Sequence, residues 1–154
     1  MIKVKVKYLR DIKPVQFYDK GDWIDLRSGE DLILQPGQYY EIPLGIAAEL
    51  PAGFSAIIAP RSSTFKKWGL LQVDSIGIID ESYCGDSDEW IFPALAMRKT
   101  HIHKNDRICQ FRVIKQSDYL DVQIVEHLGN PDRGGFGTTG TNEWKGENKN
   151  AAHY

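Results

Sequence analysis

The residues with the greatest chemical potential lie in short clusters, and one of these is the segment "APRSS". Arg61 is followed by Ser62 and Ser63 at the point where an apolar run ends and a short helix is expected to begin. A guanidinium group offers a rigid fork of donors, to which serine hydroxyls and the first helical N–H groups can add. The cluster therefore indicates an anion site. The alternative is that the serines only cap the helix and that Arg61 is solvated.

A second cluster, "GIIDESYCG", covers residues 77–85. Asp80 follows an apolar strand-like run and precedes a turn, a position from which a carboxylate can orient and deprotonate a water molecule. Tyr83 could pack against a sugar ring. Without further context, the more common outcome for such a segment is a turn-starting aspartate and a tyrosine at the edge of the core.

A third cluster, "KNDRICQFRV", places Asp106 and Arg107 at a turn that leads into a strand. Gln110 lies three residues beyond Arg107. On a regular strand these two side chains point to opposite faces, so we expect one to face a ligand while the other ties subunits or loops together. Ordinary hairpin-turn chemistry is the alternative.

Carboxylates and histidines raise the question of a metal. Asp22 and Asp25 in "GDWIDLRSGEDL" are suitable outer partners for Mg²⁺, which keeps several of its waters and is usually held by substrate phosphates too. A plain polar loop is the alternative. His101 and His103 fall on one face of a strand, but without a third ligand at a suitable spacing we interpret them as surface histidines.

The segment "PDRGGFGTTGTN" has too many glycines to hold a shape alone, yet it carries Arg133, Phe136, Thr138 and Thr139. A glycine-rich backbone can wrap tightly around a ligand. The arginine can neutralise phosphate charge, the phenyl ring can stack on a base, and the hydroxyls can donate to phosphate oxygens. It is not a Walker loop, because it lacks the lysine and the flanking strand and helix. A disordered linker is the alternative.

The elements that must position these clusters are short strands. Residues 2–8 alternate polar and apolar side chains, and the later apolar runs are cut repeatedly by proline and glycine, a pattern typical of an all-β sandwich or barrel. The segment "LLQVDSIGIIDESY" predicts a hairpin, and "RICQFRVIK" and "YLDVQIVEHL" predict two more strands. One helix is predicted at "TFKKW", with Ser62 or Ser63 as its N-cap and Gly69 as its end. A mobile C-terminal arm is expected from about Gly129.

The bulk composition excludes several classes of protein. A chain of 154 residues suits one domain, and a net charge of −2 does not favour binding to nucleic acid or to an anionic membrane. No apolar run is long enough to span a bilayer, and the charged, alternating N-terminus is unlike a signal peptide. Cys84 and Cys109 form no CxxC motif, so we expect a reduced, cytoplasmic compartment.

Five motifs in one order then point to a family. Asp25-Leu26, "PRSS" at 60–63, "GIIDESYCG", "NDRICQ" at 105–110 and "RGGFGTTG" at 133–140 resemble the five motifs of the trimeric dUTPases, which hydrolyse dUTP to dUMP and pyrophosphate. The resemblance spans roughly residues 21–140. It implies a mainly β jelly roll with one short helix, assembled as a homotrimer with active sites at subunit interfaces. It also implies a core at 1–128, an arm at 129–142 that closes over a neighbouring subunit's site, and a disordered polar tail at 143–154.

The resemblance also implies roles for individual residues. Asp80 would be the general base that activates water for attack on the α-phosphorus, Tyr83 would pack under the deoxyribose, and Asp25 would hold Mg²⁺ through its water shell. The remaining implied residues contact the substrate: Arg61, Ser62, Ser63, Asp74, Gly77, Ile79, Gln110, Arg133, Phe136, Gly137, Thr138 and Thr139. Among these, the hairpin backbone near 74–80 would read uracil, Phe136 would stack on it, and Arg133 would stabilise the phosphates.

The chain departs from the family's pattern at four positions. Asp74 stands where asparagine is usual, and an ionised aspartate cannot donate a hydrogen bond to uracil. Arg133 lies three residues before Phe136 instead of five. Trp23 and Asn105 replace glycines, and asparagine tolerates a positive φ.

The segment "DSDEWIF" is longer than usual, and we interpret its two aromatic residues, Trp90 and Phe92, as core residues at a trimer contact and not as a lid over the base.

Two other functions remain open at this point. One is dCTP deaminase, which shares the fold but needs a catalytic glutamate. The other is a dUTPase-like scaffold that binds a protein partner, which the sequence allows but does not indicate.

Overall fold

The architecture is mainly β, as predicted. The computed structural model describes residues 2–16, 21–118 and 120–134. One short helix, α1, interrupts a series of short strands. The elements in chain order are β1 (Lys5–Tyr8), β2 (Ile24–Arg27), β3 (Leu32–Leu34), β4 (Tyr39–Pro43), β5 (Ile46–Glu49), β6 (Phe54–Pro60), α1 (Thr64–Trp68), β7 (Leu70–Gln72), β8 (Gly77–Ile79), β9 (Ile91–Ala96), β10 (Thr100–Ile102) and β11 (Arg107–Lys115).

The strands form antiparallel sheets with crossing connections. The largest sheet has the order β2-β11-β6-β8, and a second has the order β4-β9-β7. Two-stranded sheets pair β1 with β5 and β10 with β3. Neighbours in the sheets are mostly distant in the chain, so short motifs from separate segments arrive at the same sheet edges. This is the arrangement expected of a jelly roll.

The core takes buried side chains from both larger sheets, from the two-stranded sheets and from α1. Trp90 and Phe92 are fully buried, and the indole ring of Trp90 meets the ring of Phe111 edge to face at 5.2 Å between centroids. The prediction that these two residues belong to the core is therefore confirmed. Such an edge-to-face pair adds to the stabilisation from burial alone.

The helix α1 begins and ends at the predicted residues. Gly69 ends it in the left-handed conformation with φ 67°, and its N–H donates to the carbonyl of Phe65. Ser63 is the N-cap by position, but its side chain makes no capping hydrogen bond. Thr64 anchors the helix start instead. Its hydroxyl accepts from the N–H of Arg61 at 2.9 Å and donates to the carbonyl of Ile108 at 2.7 Å.

Two strand predictions are wrong. The strands β7 and β8 do not pair with each other as a hairpin, because β7 pairs with β9 and β8 with β6. The chain therefore passes from one sheet to the other at residues 73–76. We call the place where β7 and β8 diverge the fork. Residues 120–128, predicted as a strand, contain no strand. Their apolar residues are exposed.

The contacts divide the chain into residues 1–118 and 119–154. All helices and strands of the described segments belong to the first unit. Within the residues that the structure describes, no helix is long and apolar enough to cross a membrane.

We predict that Thr64→Val destabilises the fold by about 1–3 kcal/mol, because the N–H of Arg61 and the carbonyl of Ile108 lose their buried partner. Thr64→Ser is the matched control, since it keeps the hydroxyl and loses only a methyl group. Urea unfolding of both variants measures the difference. A valine variant as stable as the serine variant would contradict the anchoring role.

Candidate active site

One carboxylate of the four-stranded sheet is held by two guanidinium groups. Asp25 of β2 accepts from Nε of Arg61 at 2.7 Å and from Nη1 of Arg107 at 3.0 Å. Its side chain is only 15% exposed. Arg61 also donates to the carbonyl of Arg107 at 3.2 Å. One carboxylate against two guanidinium groups leaves a net positive charge, so this cluster is suited to bind an anion.

Gln110 lies on the same face as this cluster, which corrects the sequence analysis. The register of β11 against β2 shifts between Arg107 and Cys109, and Gln110 is directly opposite Asp25. Because the shift inserts an extra residue, Arg107 and Gln110 both reach the face of Asp25 instead of opposite faces. The amide of Gln110 donates to the carbonyl of Pro60 at 3.2 Å, beside Arg61.

Two serines follow Arg61 directly and add hydroxyl groups next to this ion cluster. Ser62 is exposed and Ser63 is partly exposed at the start of α1. Since the hydroxyl of Ser63 makes no capping bond, it is not committed to the helix. The simple capping interpretation of this serine therefore does not hold.

Asp80 follows β8 as an exposed carboxylate with a fixed orientation. Its Oδ1 accepts from the N–H of Ser82 at 2.9 Å and from the Ser82 hydroxyl at 2.8 Å. These two bonds stabilise the ionised form, and together they lower the pKa of Asp80 below its ordinary value. At neutral pH the group is therefore an ionised carboxylate, able to accept a proton.

Two hydrogen bonds hold Tyr83 in place beside Asp80. Its N–H donates to the carbonyl of Asp80 at 3.1 Å, and its hydroxyl donates to the carbonyl of Glu89 at 3.2 Å. Glu89 is in turn fixed by Arg10, with 2.6 Å between Arg10 Nε and Glu89 Oε1. The ring remains 42% exposed, so one side is free to contact a ligand.

At the fork, the facing edges of β7 and β8 have no strand partner within the described residues. Asp74 and Ser75 both have positive φ, 67° and 66°, which reverses the chain tightly. Inside the fork, the amide of Gln72 donates to the carbonyl of Ile58 at 3.1 Å. A Cβ at Gly77 would lie 3.2 Å from the Cβ of Ile58, its partner on β6, so a side chain at this position would press on that strand.

The site residues lie in two groups separated along β6. Ile79 of β8 is opposite Ala56, which places Asp80 level with the beginning of β6. Arg61 follows the end of the same strand at Pro60. Six residues of strand span about 20 Å, so Asp80 and Arg61 lie at opposite ends of β6.

The glycine-rich motif is only partly described. Arg133 is exposed in the second unit, in a segment without helix or strand. Phe136, Gly137, Thr138 and Thr139 lie outside the described residues. The substitution Asn105 for glycine is tolerated as predicted, with φ 74° at that residue.

Sequence reasoning missed two residues of the site and the partner of a third. Ser82 orients Asp80, Gln72 lies inside the fork, and Arg107, already a candidate, is paired with Asp25. A serine two residues after an aspartate is a known turn pattern and could have indicated the first. The other two depend on strand register, which the sequence does not reveal.

The donor set around Asp25 limits how a metal can bind. Both carboxylate oxygens already contact guanidinium groups, so Mg²⁺ as a direct ligand would replace an arginine. An aspartate can still accept a further hydrogen bond from a metal-bound water. The residues therefore fit Mg²⁺ held mainly by phosphate oxygens, with Asp25 in contact with its water shell.

Comparisons with known proteins agree on one family. The sequence model of the dUTPase family matches residues 23–140. The SPbeta prophage-derived deoxyuridine 5'-triphosphate nucleotidohydrolase YosS of Bacillus subtilis is 50% identical over 141 residues, which cover 91% of this chain and 99% of that protein.

Solved structures share the fold at low sequence identity. A mutant of the Staphylococcus bacteriophage 80alpha dUTPase with dUpNHpp matches with a TM-score of 0.74 at 18% identity, covering 90% of this chain and 99% of that one. A mutant dUTPase from phage phi11 of S. aureus, described with a structural Mg(II) ion, matches with a TM-score of 0.71 at 16% identity, covering 82% and 98%.

We predict that Ser82→Ala raises the pKa of Asp80 towards its ordinary value, because one of the two donors to the ionised form is lost. The rise is partial, since the backbone N–H of residue 82 remains. An NMR titration of the Asp80 carboxyl measures it, with Ser87→Ala as a control in the same loop. An unchanged pKa in Ser82→Ala would show that the hydroxyl does not stabilise the carboxylate.

Proposed function

The chain belongs to the dUTPase family, and from this premise we propose that it hydrolyses dUTP to dUMP and pyrophosphate. The observation that carries the proposal is the arrangement along β8. The forked edge suited to a base and the ionised, oriented carboxylate of Asp80 lie at the two ends of one three-residue strand. A single nucleotide can therefore engage both.

Asp80 acts as the general base in this proposal. Its lowered pKa keeps it ionised, and Ser82 fixes its Oδ1. The carboxylate takes one proton from a water molecule as the water oxygen bonds to the α-phosphorus. The bond from that phosphorus to the bridging oxygen breaks, and pyrophosphate leaves with the electron pair.

The net positive cluster binds the phosphates. Arg61, Ser62 and Ser63 donate to phosphate oxygens, and Gln110 adds a contact from the same face. Asp25 holds both arginines in place, so their donors are fixed before the substrate arrives. Prepositioned donors are worth more than mobile ones, because no free energy is lost in reorganising them.

Mg²⁺ is the cofactor that fits this site. Bound to the triphosphate, it would neutralise charge and hold the phosphate chain for in-line attack, with Asp25 contacting its water shell.

The fork accounts for selection of the nucleotide. Backbone groups on the facing edges of β7 and β8, which have no strand partner in the described part of the chain, can bond to uracil. A close fit of this backbone around the base would leave no room for the methyl group of thymine. Tyr83 packs under the deoxyribose and excludes a 2′-hydroxyl. Asp74, in the left-handed conformation at the turn, is exposed, so a water molecule can bridge it to the base.

We further propose a homotrimer with shared sites. A distance of about 20 Å along β6 is too long for one subunit to place Asp80 at the phosphates that its own Arg61 binds. A neighbouring subunit supplies the missing group. The exposed apolar side chains of Leu120, Val122 and Ile124 support association, because such a series is rarely left in water. Arg133 and Phe136 would then close over a neighbour's nucleotide.

A cytoplasmic location fits an enzyme of the nucleotide pool. Cys84 and Cys109 are both free thiols, which is compatible with a reducing compartment.

The direct test of the activity is pyrophosphate release with Mg²⁺ from dUTP, dTTP, dCTP and UTP, measured side by side. We expect release from dUTP alone. Release from none of them would overturn the proposed activity, and equal release from dTTP would overturn the role of the fork.

We predict that Asp80→Asn lowers turnover by at least about a thousandfold, because the amide cannot accept the proton. Binding of a non-hydrolysable dUTP analogue should change far less, since the phosphate and base contacts remain. Asp86→Asn is the control, an exposed carboxylate in the following loop. Substantial turnover in Asp80→Asn would place the base elsewhere.

A further inference from the structure

Three metal-binding side chains meet on an exposed face that the proposed reaction does not use. The nitrogen and oxygen ligand atoms of Asp31, His101 and His103 all lie within 4.8 Å of one another. We propose that these three residues form a site for a borderline divalent metal ion, with Zn²⁺ as the ion that fits best. This site is separate from the Mg²⁺ that accompanies the nucleotide.

The strand pairing creates the site. In the sheet of β3 and β10, Ile102 is opposite Leu32 and His101 is opposite Ile33. Continuing that register puts His103 opposite Asp31. His101 and His103 are two residues apart, so both point to the same face, and a directly opposite residue shares that face. Sequence spacing alone gives two histidines, and the fold supplies the third ligand.

The distances suit one shared ion better than a direct contact. Nδ1 of His103 lies 3.4 Å from Oδ1 of Asp31, longer than a normal hydrogen bond between such groups. Two ligands bound to the same tetrahedral Zn²⁺ at about 2.0–2.1 Å lie roughly 3.4 Å apart. The two imidazole rings have centroids 3.9 Å apart at 47°, so their nitrogens can converge after small rotations of exposed side chains.

Neighbouring groups hold the ligands in place. The N–H of Lys104 donates to Oδ1 of Asp31 at 3.1 Å, and the N–H of His103 donates to Oδ2 of Asp106 at 2.9 Å. The ammonium group of Lys104 lies 3.8 Å from Asp11. Backbone donors of this kind orient metal-binding carboxylates and turns before the metal arrives.

The chemistry of the ligands selects the class of metal. Imidazole nitrogen suits Zn²⁺, Cu²⁺ and Ni²⁺, whereas Mg²⁺ and Ca²⁺ prefer sites made of oxygen ligands. Two histidines and one carboxylate leave a fourth position for water or another ligand. The ligand type therefore distinguishes this site from the phosphate-bound Mg²⁺ of the proposed reaction.

The test is equilibrium dialysis of the chain, produced without a histidine tag, against Zn²⁺ in excess Mg²⁺. We expect one Zn²⁺ per chain. His101→Ala and His103→Ala should each weaken binding by at least about tenfold, because each removes one of three ligands. Asp31→Asn should weaken it as well, since the amide carries no charge. His127→Ala is the matched control, an exposed histidine outside the cluster, and should bind Zn²⁺ as the unmodified chain does.

Two results would overturn the proposal. One is a chain that takes up no Zn²⁺ at concentrations up to about 100 μM, where a useful three-ligand site would be occupied. The other is equal Zn²⁺ binding by the cluster variants and the His127→Ala control. Dialysis needs no turnover, so the result stands whether or not dUTP is hydrolysed.

Discussion

The ion cluster at Asp25 is the interaction on which the candidate site depends most. The carboxylate comes from β2, one guanidinium from the start of β11 and the other from the residue after β6. These three strands are neighbours in one sheet, so the cluster fixes their polar ends relative to each other. Without the carboxylate, Arg61 and Arg107 would be like charges side by side in a half-buried place, which is unfavourable. The same arrangement leaves a net positive charge that suits an anion.

The length of β6 is the second constraint. The strand connects Arg61, which follows its end, with Asp80, which lies level with its beginning. A seven-residue strand is rigid on this scale, so local motion does not bring the two groups together. The simplest way to complete the site is a second copy of the chain. In the proposed trimer, association is then a requirement of the chemistry and not only a source of stability.

Much of this could be predicted from the sequence. Glycine and proline positions indicated short strands. Gly69 correctly marked the end of the helix, because glycine adopts a positive φ without strain. The ordered motifs indicated the family. What could not be predicted was register. The register shift between Arg107 and Cys109 puts Gln110 on the face opposite to the one expected. The strands β7 and β8 pair with different partners, so the expected hairpin does not form. The pairing of β10 with β3 places Asp31 beside two histidines that the sequence indicates only as surface residues.

The most direct test of the account is complementation between two inactive variants, Asp80→Asn and Arg61→Ala. If each site takes Asp80 from one subunit and Arg61 from another, a refolded equal mixture should regain about a quarter of the unmodified turnover, because one interface in four then combines two intact groups. Mixing the folded variants without subunit exchange is the control and should stay inactive. A refolded mixture that forms trimers but remains as inactive as either variant would contradict the shared site.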